Sequence, residues 1–288
     1  MNKLLRNSLR LLVLLATAGV FSYYLKNHPD LLKQLVRTPP HVVAVLVLLY
    51  LAWFGAMALT VQATLRICNC TLGVGENLLL NTYSTLVNFF VPGQGGVAVR
   101  GLYLKRRYQL GMRHFILATL IYYMSYAIGS AFMLLVSSRP WWQTTLGVTL
   151  VVMGSISIMY LYERRSGART DALDMRFANF GFLFVATMIL LIAQASIYAY
   201  ELRSINPGVT LQQAVTYTGA ANFSVFVALT PGAIGIRESF LFFSQKLHHV
   251  DTSTIMAANV LDRSIFLVFL GLLFIFSQGA HIKKSLDL

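Results

Sequence analysis

Long runs of apolar residues without Asp, Glu, Lys or Arg alternate along the chain with short polar segments. A helix needs about 20 predominantly apolar residues to cross the hydrocarbon core of a bilayer. Most of the runs reach that length, and they are apolar over their whole circumference, as membrane helices are. The pattern predicts an all-α integral membrane protein with six full transmembrane helices, at about 8–25, 41–65, 114–137, 141–162, 178–200 and 262–281.

Two further apolar stretches, 77–99 and 204–236, are interrupted by proline and glycine, which break helices. Each has an upstream asparagine that either lines a cavity or bonds between helices, then a Pro-Gly pair, a later glycine and an arginine. These residues are Asn88, Pro92, Gly93, Gly96 and Arg100 in the first stretch, and Asn222, Pro231, Gly232, Gly235 and Arg237 in the second. Paired broken helices are typical of inverted-repeat transporters with a site near the membrane midplane.

The placement of Lys and Arg favours one topology. If the amino terminus is cytoplasmic and both interrupted stretches are re-entrant hairpins, most of the 23 Lys and Arg residues are cytoplasmic, as the positive-inside rule expects. The carboxyl terminus is then cytoplasmic too, and the hairpins enter from opposite sides. The chain becomes a single membrane domain, 1–288, with inverted repeats at about 41–137 and 178–281. The alternative of eight full spans places the basic cluster 105–107 outside.

Composition and motifs exclude other classes of protein. The chain is 57% hydrophobic and 11% charged, whereas soluble domains carry about 25% charged residues. We attribute the net charge of +13 to loops facing anionic lipids rather than to nucleic-acid binding. No nucleotide-binding loop, dinucleotide fingerprint, serine elbow or zinc-protease motif occurs, and acidic residues are few. We therefore expect no enzyme activity, metal or cofactor.

The interrupted stretches provide the candidate binding site. Free amides at a hairpin tip and the positive end of the next helix can hold an anion such as a lipid phosphate, and Arg100 and Arg237 can bind it bidentately. Glu238 could pair with Arg237, bind a cationic headgroup or carry a proton. Asp262 and Arg263 either belong to the site or form a helix cap and an ion pair. Two alternatives to an anion-binding site remain open. The interruptions can be proline kinks packed within the bundle, and Arg100 can be an anchor at the membrane interface.

Residues 230–238, Thr-Pro-Gly-Ala-Ile-Gly-Ile-Arg-Glu, resemble the Pro-Gly-Gly-x-Gly-x-Arg-Glu signature of the lysylphosphatidylglycerol synthase transmembrane family, also called flippase-like domain proteins. Ala233 replaces one glycine of that signature. Residues 88–106 are similar to the first motif of the family, and 257–263 to its last, an Ala-rich stretch that ends in Arg. The resemblance extends over about 41–281.

This resemblance implies flippase-like translocation of a phospholipid or a polyprenyl-phosphate-linked amphiphile between leaflets of the bacterial inner membrane. The best-known members also carry a soluble aminoacyltransferase domain, and we expect this chain to act without one. Its expected partners are membrane lipid or a lipid-linked glycan. The alternative is a non-transporting scaffold, or lipid-presenting partner, of an envelope glycosyltransferase. A homo-oligomer is compatible with the Gly and Ala residues in the spans, which permit close helix contact.

Overall fold

The computed structural model of the chain describes residues 36–90, 95–136, 176–226 and 236–286, and the single residues 26, 33 and 174. Within this part of the chain the regular secondary structure is helical, as the sequence predicts. The helices are α1 (Pro40–Ile67), α2 (Val74–Phe90), α3 (Gly95–Tyr108), α4 (Met112–Leu135), α5 (Phe177–Ile205), α6 (Leu211–Phe226), α7 (Ile236–Phe243), α8 (Gln245–His248) and α9 (Thr252–Leu286).

Four of these helices, α1, α4, α5 and α9, are long and apolar enough to cross a membrane. They correspond to the predicted spans at 41–65, 114–137, 178–200 and 262–281. Their outward faces leave large apolar side chains uncovered: Leu48 is 64% exposed and Ile192 is 62% exposed. Such faces are suited to lipid rather than water. The predicted spans 8–25 and 141–162 lie outside the described residues.

Helix α9 begins ten residues before its predicted start, so the interpretation of Asp262 as the residue that opens it is wrong. The cap is Asp251, whose carboxylate accepts a hydrogen bond from the backbone amide of Thr254 at 2.9 Å. Hydrogen bonds from Ser253 and Thr254 hold the pKa of the Asp251 carboxyl well below its usual range. The predicted start was too late because the charged Asp262–Arg263 sequence interrupts the apolar run, so the mostly apolar residues 255–261 before it were left out of the span.

Helices α2 and α3 form an antiparallel hairpin. Near its base, the hydroxyl of Tyr103 donates a hydrogen bond to the carboxylate of Glu76. Near its tip, the backbone amide of Gly96 donates to Oδ1 of Asn88 at 2.7 Å. A Cβ atom at residue 96 would lie 2.2 Å from the carbonyl oxygen of Ser84. The close approach of the two helices at this point therefore requires glycine.

Helices α6 and α7, continued by α8, form a second antiparallel hairpin. The side-chain amide of Gln213 donates to the carbonyl of His249 at 3.1 Å, and the rings of Tyr217 and His248 meet edge to face. The start of α6 thus lies against the end of α7 and α8. Both hairpin tips lie outside the described residues, and with them five of the predicted site residues, Pro92, Gly93, Pro231, Gly232 and Gly235.

The helix contacts follow the same pattern in both halves of the chain. Helix α1 packs against α5, and each of these two helices also contacts the hairpin and the last long helix of its own half. Between the halves, α4 packs on α6 as α9 packs on α2. Exchanging the halves leaves the contact of α1 with α5 unchanged and converts each of the other contacts into its counterpart, as a duplicated unit would. The core lies where α1, α5, α6 and α9 meet, and the second hairpin is packed into it.

Candidate functional site

The second hairpin is joined to α9 by a buried ion pair. Arg237, in the first turn of α7, pairs with Asp262, and their side chains are only 14% and 7% exposed. The hydroxyl of Tyr50 on α1 donates a hydrogen bond to the other carboxylate oxygen of Asp262. Charged side chains that are buried to this extent are tolerated when they are paired and hydrogen-bonded. Asp262 therefore connects three helices around one positive charge.

A second ion pair joins the same two helices. Arg263 donates from Nε, at 3.1 Å, and from a terminal guanidinium nitrogen, at 2.5 Å, to the same oxygen of Glu238. The structure thus pairs Glu238 with Arg263 rather than with its neighbour Arg237. Consecutive residues of a helix point about 100° apart, so each member of the Arg-Glu sequence meets a residue of the facing helix instead. The adjacent Asp262 and Arg263 present complementary charges to them.

Aromatic rings surround the guanidinium of Arg237. It lies over the ring of Tyr198, with 4.9 Å between its central carbon and the ring centroid, as in a cation–π contact. The ring of Tyr217 packs edge to face against Tyr198 at 5.7 Å. The buried hydroxyl of Tyr217 and Nε of Arg237 have no hydrogen-bond partner within the described part of the chain. Polar groups of this kind can take up a ligand with suitable acceptors.

Sequence reasoning missed Glu201, which the structure places in the same cluster. Glu201 lies near the end of α5, is 1% exposed, and has its carboxyl group within hydrogen-bonding reach of Asp262. Its Oε1 atom is buried and has no partner among the described residues. In the sequence it resembles an interfacial residue, because Arg203 follows closely. A usable signal was its spacing from Tyr198, since residues three apart share a helix face.

The first hairpin presents a different environment around its arginine. Arg100 is partly buried and lies near Tyr122 and Tyr123 of α4, where the second half of the chain has Asp262. Its Nε atom is buried without a hydrogen-bond partner, and Arg100 forms no salt bridge with any described residue. Among the described residues the hairpin arginines therefore differ: Arg237 has a carboxylate counter-ion, whereas Arg100 has two tyrosines near it.

The two upstream asparagines lie in α2 and α6 and also differ. Asn88 accepts the hydrogen bond from Gly96 that closes the first hairpin, so part of its role is structural. Asn222 is fully buried, and neither its amide nitrogen nor its oxygen has a partner among the described residues. An unsatisfied buried amide is costly, and this one lies on α6 four residues before the helix ends at Phe226.

The described residues contain no group of three or more His, Cys, Asp or Glu side chains that could hold a metal ion. His248, for example, packs within the second hairpin, where Nε2 lies 3.0 Å from the carbonyl of Leu241 and Nδ1 accepts the amide of Val250. The described polar groups of this region are two guanidiniums, three carboxyl groups and several tyrosine hydroxyls, which are suited to binding anions and protons.

Comparison with known proteins identifies the family. No curated protein matches the chain. The family profile of the lysylphosphatidylglycerol synthase TM region matches residues 8–273, which include both hairpins, both arginines and the Asp262–Arg263 sequence. The match spans most of the chain, as the motifs at 88–106, 230–238 and 257–263 indicate. The protein therefore belongs to the lysylphosphatidylglycerol synthase transmembrane family.

Proposed function

We propose that this protein translocates an anionic amphiphile, either a phospholipid or a polyprenyl-phosphate-linked lipid, between the leaflets of the bacterial inner membrane. The observation that carries the proposal is Arg100. A guanidinium within a membrane protein is costly unless an anion balances it, and no described residue supplies a carboxylate to Arg100. A lipid phosphate would supply the negative charge that the described residues do not provide.

The surroundings of Arg100 suit a phosphate. Its buried Nε is available as a donor, and the hydroxyls of Tyr122 and Tyr123 lie near enough to interact with it electrostatically. Guanidinium binds phosphate through two parallel hydrogen bonds, and tyrosine hydroxyls donate to phosphate oxygens as well. Helix α3 begins at Gly95, so the positive end of its dipole is directed toward the same tip.

The second hairpin would bind the same headgroup at another stage of transport. There Arg237 is neutralised by Asp262, so an incoming phosphate must displace an internal carboxylate. Glu238, paired with Arg263, would contact a cationic part of the headgroup. Among the described residues, Arg100 has no carboxylate partner and Arg237 has one that an anion can displace. The two arginines would therefore bind an anionic headgroup with different affinities, while the tails of the lipid stay in the bilayer.

We further propose that the protein acts as a transporter rather than as an enzyme, with both termini in the cytoplasm. Support for this comes from the family match, from the four membrane-length helices among the described residues, and from the cytoplasmic excess of Lys and Arg that the topology produces. The cargo would come from, or be passed to, an enzyme of envelope biosynthesis.

The test is native mass spectrometry of the protein in mild detergent, with identification of the lipids that remain bound. Wild type should retain one class of phosphate-bearing lipid. The amount of this lipid bound to Arg100→Gln should be at least tenfold lower than the amount bound to wild type. Arg106→Gln is the matched control, since Arg106 lies on the same helix but is exposed. The same bulk lipids in all three proteins would refute the phosphate site and favour the scaffold function instead.

A further inference from the structure

The cluster around Arg237 contains two carboxyl groups and one guanidinium. Asp262 pairs with Arg237, and Glu201 lies within hydrogen-bonding reach of Asp262. Both carboxyl groups are at least 90% buried. The titratable groups that face this pair come from every surrounding helix and are Tyr50 on α1, Tyr198 on α5, Tyr217 on α6 and Arg237 on α7.

Charge balance requires a proton in this cluster. If Glu201 and Asp262 were both ionised, two adjacent negative charges would share a single positive charge away from water, which is strongly unfavourable. A proton on Glu201 makes the cluster neutral and lets its carboxyl group donate a hydrogen bond to Asp262. The tyrosines cannot replace this proton, because they are neutral in their ordinary state.

Binding of an anionic headgroup at Arg237 changes this balance. A phosphodiester carries one negative charge at any physiological pH, so it can replace Asp262 as the counter-ion of Arg237. The released Asp262 carboxylate would then lie buried beside Glu201 with no positive charge to balance it. Uptake of one proton from water by the pair restores neutrality. No bond other than that to the proton is formed or broken.

We propose that the Glu201–Asp262 pair is a proton-binding site, and that a phosphate-bearing headgroup and a proton bind to the second half of this protein together. The second part rests on the proposed function, whereas the first part does not. Anion and proton would move together through the transport cycle. A pH difference across the membrane would therefore bias the direction of lipid movement.

The first experiment needs no ligand. Infrared spectroscopy distinguishes the carbonyl stretch of a protonated carboxylic acid from the bands of a carboxylate. We expect wild type at neutral pH to have the band of a protonated carboxyl, and Glu201→Gln to lack it. Glutamine is isosteric and can donate to Asp262 in the same way, so the variant should fold. Glu238→Gln is the matched control and should keep the band, because Glu238 is paired with Arg263.

A wild-type spectrum identical to that of Glu201→Gln would overturn the proposed proton site, whatever the protein transports. This experiment tests the proton site independently of the proposed lipid translocation, since it uses neither a cargo nor a transport assay. Comparison with Glu238→Gln removes the contribution of changing any glutamate to glutamine.

The second experiment measures coupling by calorimetric titration with dihexanoylphosphatidylglycerol in two buffers that differ in ionisation enthalpy. Wild type should take up about one proton per ligand bound, and its affinity should fall by up to tenfold for each pH unit of increase. The double variant Glu201→Gln/Asp262→Asn should bind more tightly, with no proton uptake and no pH dependence, because no internal carboxylate competes for Arg237.

The outcomes separate the two proposals. Binding by wild type without proton uptake would refute the coupling and leave the proposed function intact. Absence of binding by wild type would refute a phosphodiester site at Arg237, and the infrared band would still decide whether the carboxyl pair holds a proton. Uptake that persists unchanged in the double variant would place the proton elsewhere and overturn the assignment to Glu201 and Asp262.

Discussion

The single residue Asp262 holds the second hairpin in place, because it neutralises a buried guanidinium and accepts a hydrogen bond from Tyr50 at the same time. Removing one member of a buried ion pair leaves the other charge without compensation in a medium that solvates it poorly. The neighbouring pair of Arg263 and Glu238 is less demanding, since the Glu238 side chain is 25% exposed.

We therefore expect Asp262→Ala to lower the free energy of unfolding by about 3–5 kcal/mol, because Arg237 remains buried without a counter-ion. Glu238→Ala should lower it by less, about 1–3 kcal/mol, because the Arg263 guanidinium it leaves behind is also largely buried but the Glu238 side of the pair is 25% exposed. Thermal unfolding of both variants in the same detergent measures the difference. Equal losses of stability would contradict the view that Asp262 neutralises a buried charge.

The pairing of these residues could not be predicted from the sequence. The motif Arg237-Glu238 and the motif Asp262-Arg263 were recognised as candidates. Which arginine meets which carboxylate depends on how α7 and α9 face each other, because the paired residues are 25 positions apart in the sequence. Glu201 was missed for a related reason. A single acidic residue near the end of an apolar helix is equally compatible with a surface position, and only packing places it beside Asp262.

The two hairpins are the elements that would carry the proposed binding site, and each depends on close contact between its helices. In the first hairpin the contact is closest at Gly96, which lies against the carbonyl of Ser84 and donates to Asn88. The sequence predicted both interruptions correctly, because proline followed by several glycines rarely continues a helix. It placed the start of α9 ten residues late, because the charged Asp262–Arg263 sequence interrupts the apolar run inside this helix.

We predict that Gly96→Ala opens the first hairpin. An added Cβ would lie 2.2 Å from the carbonyl oxygen of Ser84, and overpacking of this kind costs about 1–3 kcal/mol. The control is Gly75→Ala in α2 of the same hairpin, where a Cβ would meet nothing within 4 Å and the helix should be unchanged or slightly more stable.

Thermal unfolding and lipid retention should both decrease for Gly96→Ala and stay at the wild-type level for Gly75→Ala. Identical behaviour of the two variants would mean that the close approach at Gly96 is not needed to hold the hairpin, and that Arg100 is positioned by other contacts.

At the scale of the whole molecule, the described helices of the two halves make similar contacts but carry different charges. The contacts between described helices are equivalent when the halves are exchanged, yet Arg237 has a carboxylate where Arg100 has tyrosines. The sequence pattern indicated the repeat through its two Pro-Gly interruptions. It could not indicate the difference in charge, because the counter-ion of each arginine comes from another helix. This asymmetry suits a transporter that releases at one stage the anion it binds at another.

We propose that the protein moves a phosphate-bearing lipid across the membrane and that Arg100 binds the phosphate. The most direct measurement is a dithionite-quenching assay in reconstituted vesicles. It uses tail-labelled phosphatidylglycerol and tail-labelled polyprenyl phosphate as separate probes, each with and without a pH difference across the membrane. Protein-free vesicles and Arg106→Gln serve as controls.

We predict that wild type and Arg106→Gln expose the inner-leaflet fraction of at least one probe faster than protein-free vesicles do. Arg100→Gln should reduce that rate at least tenfold while inserting normally. Rates equal to those of protein-free vesicles for both probes, under every pH condition, would contradict lipid translocation. Translocation that is unchanged in Arg100→Gln would contradict the role of Arg100 as the phosphate ligand.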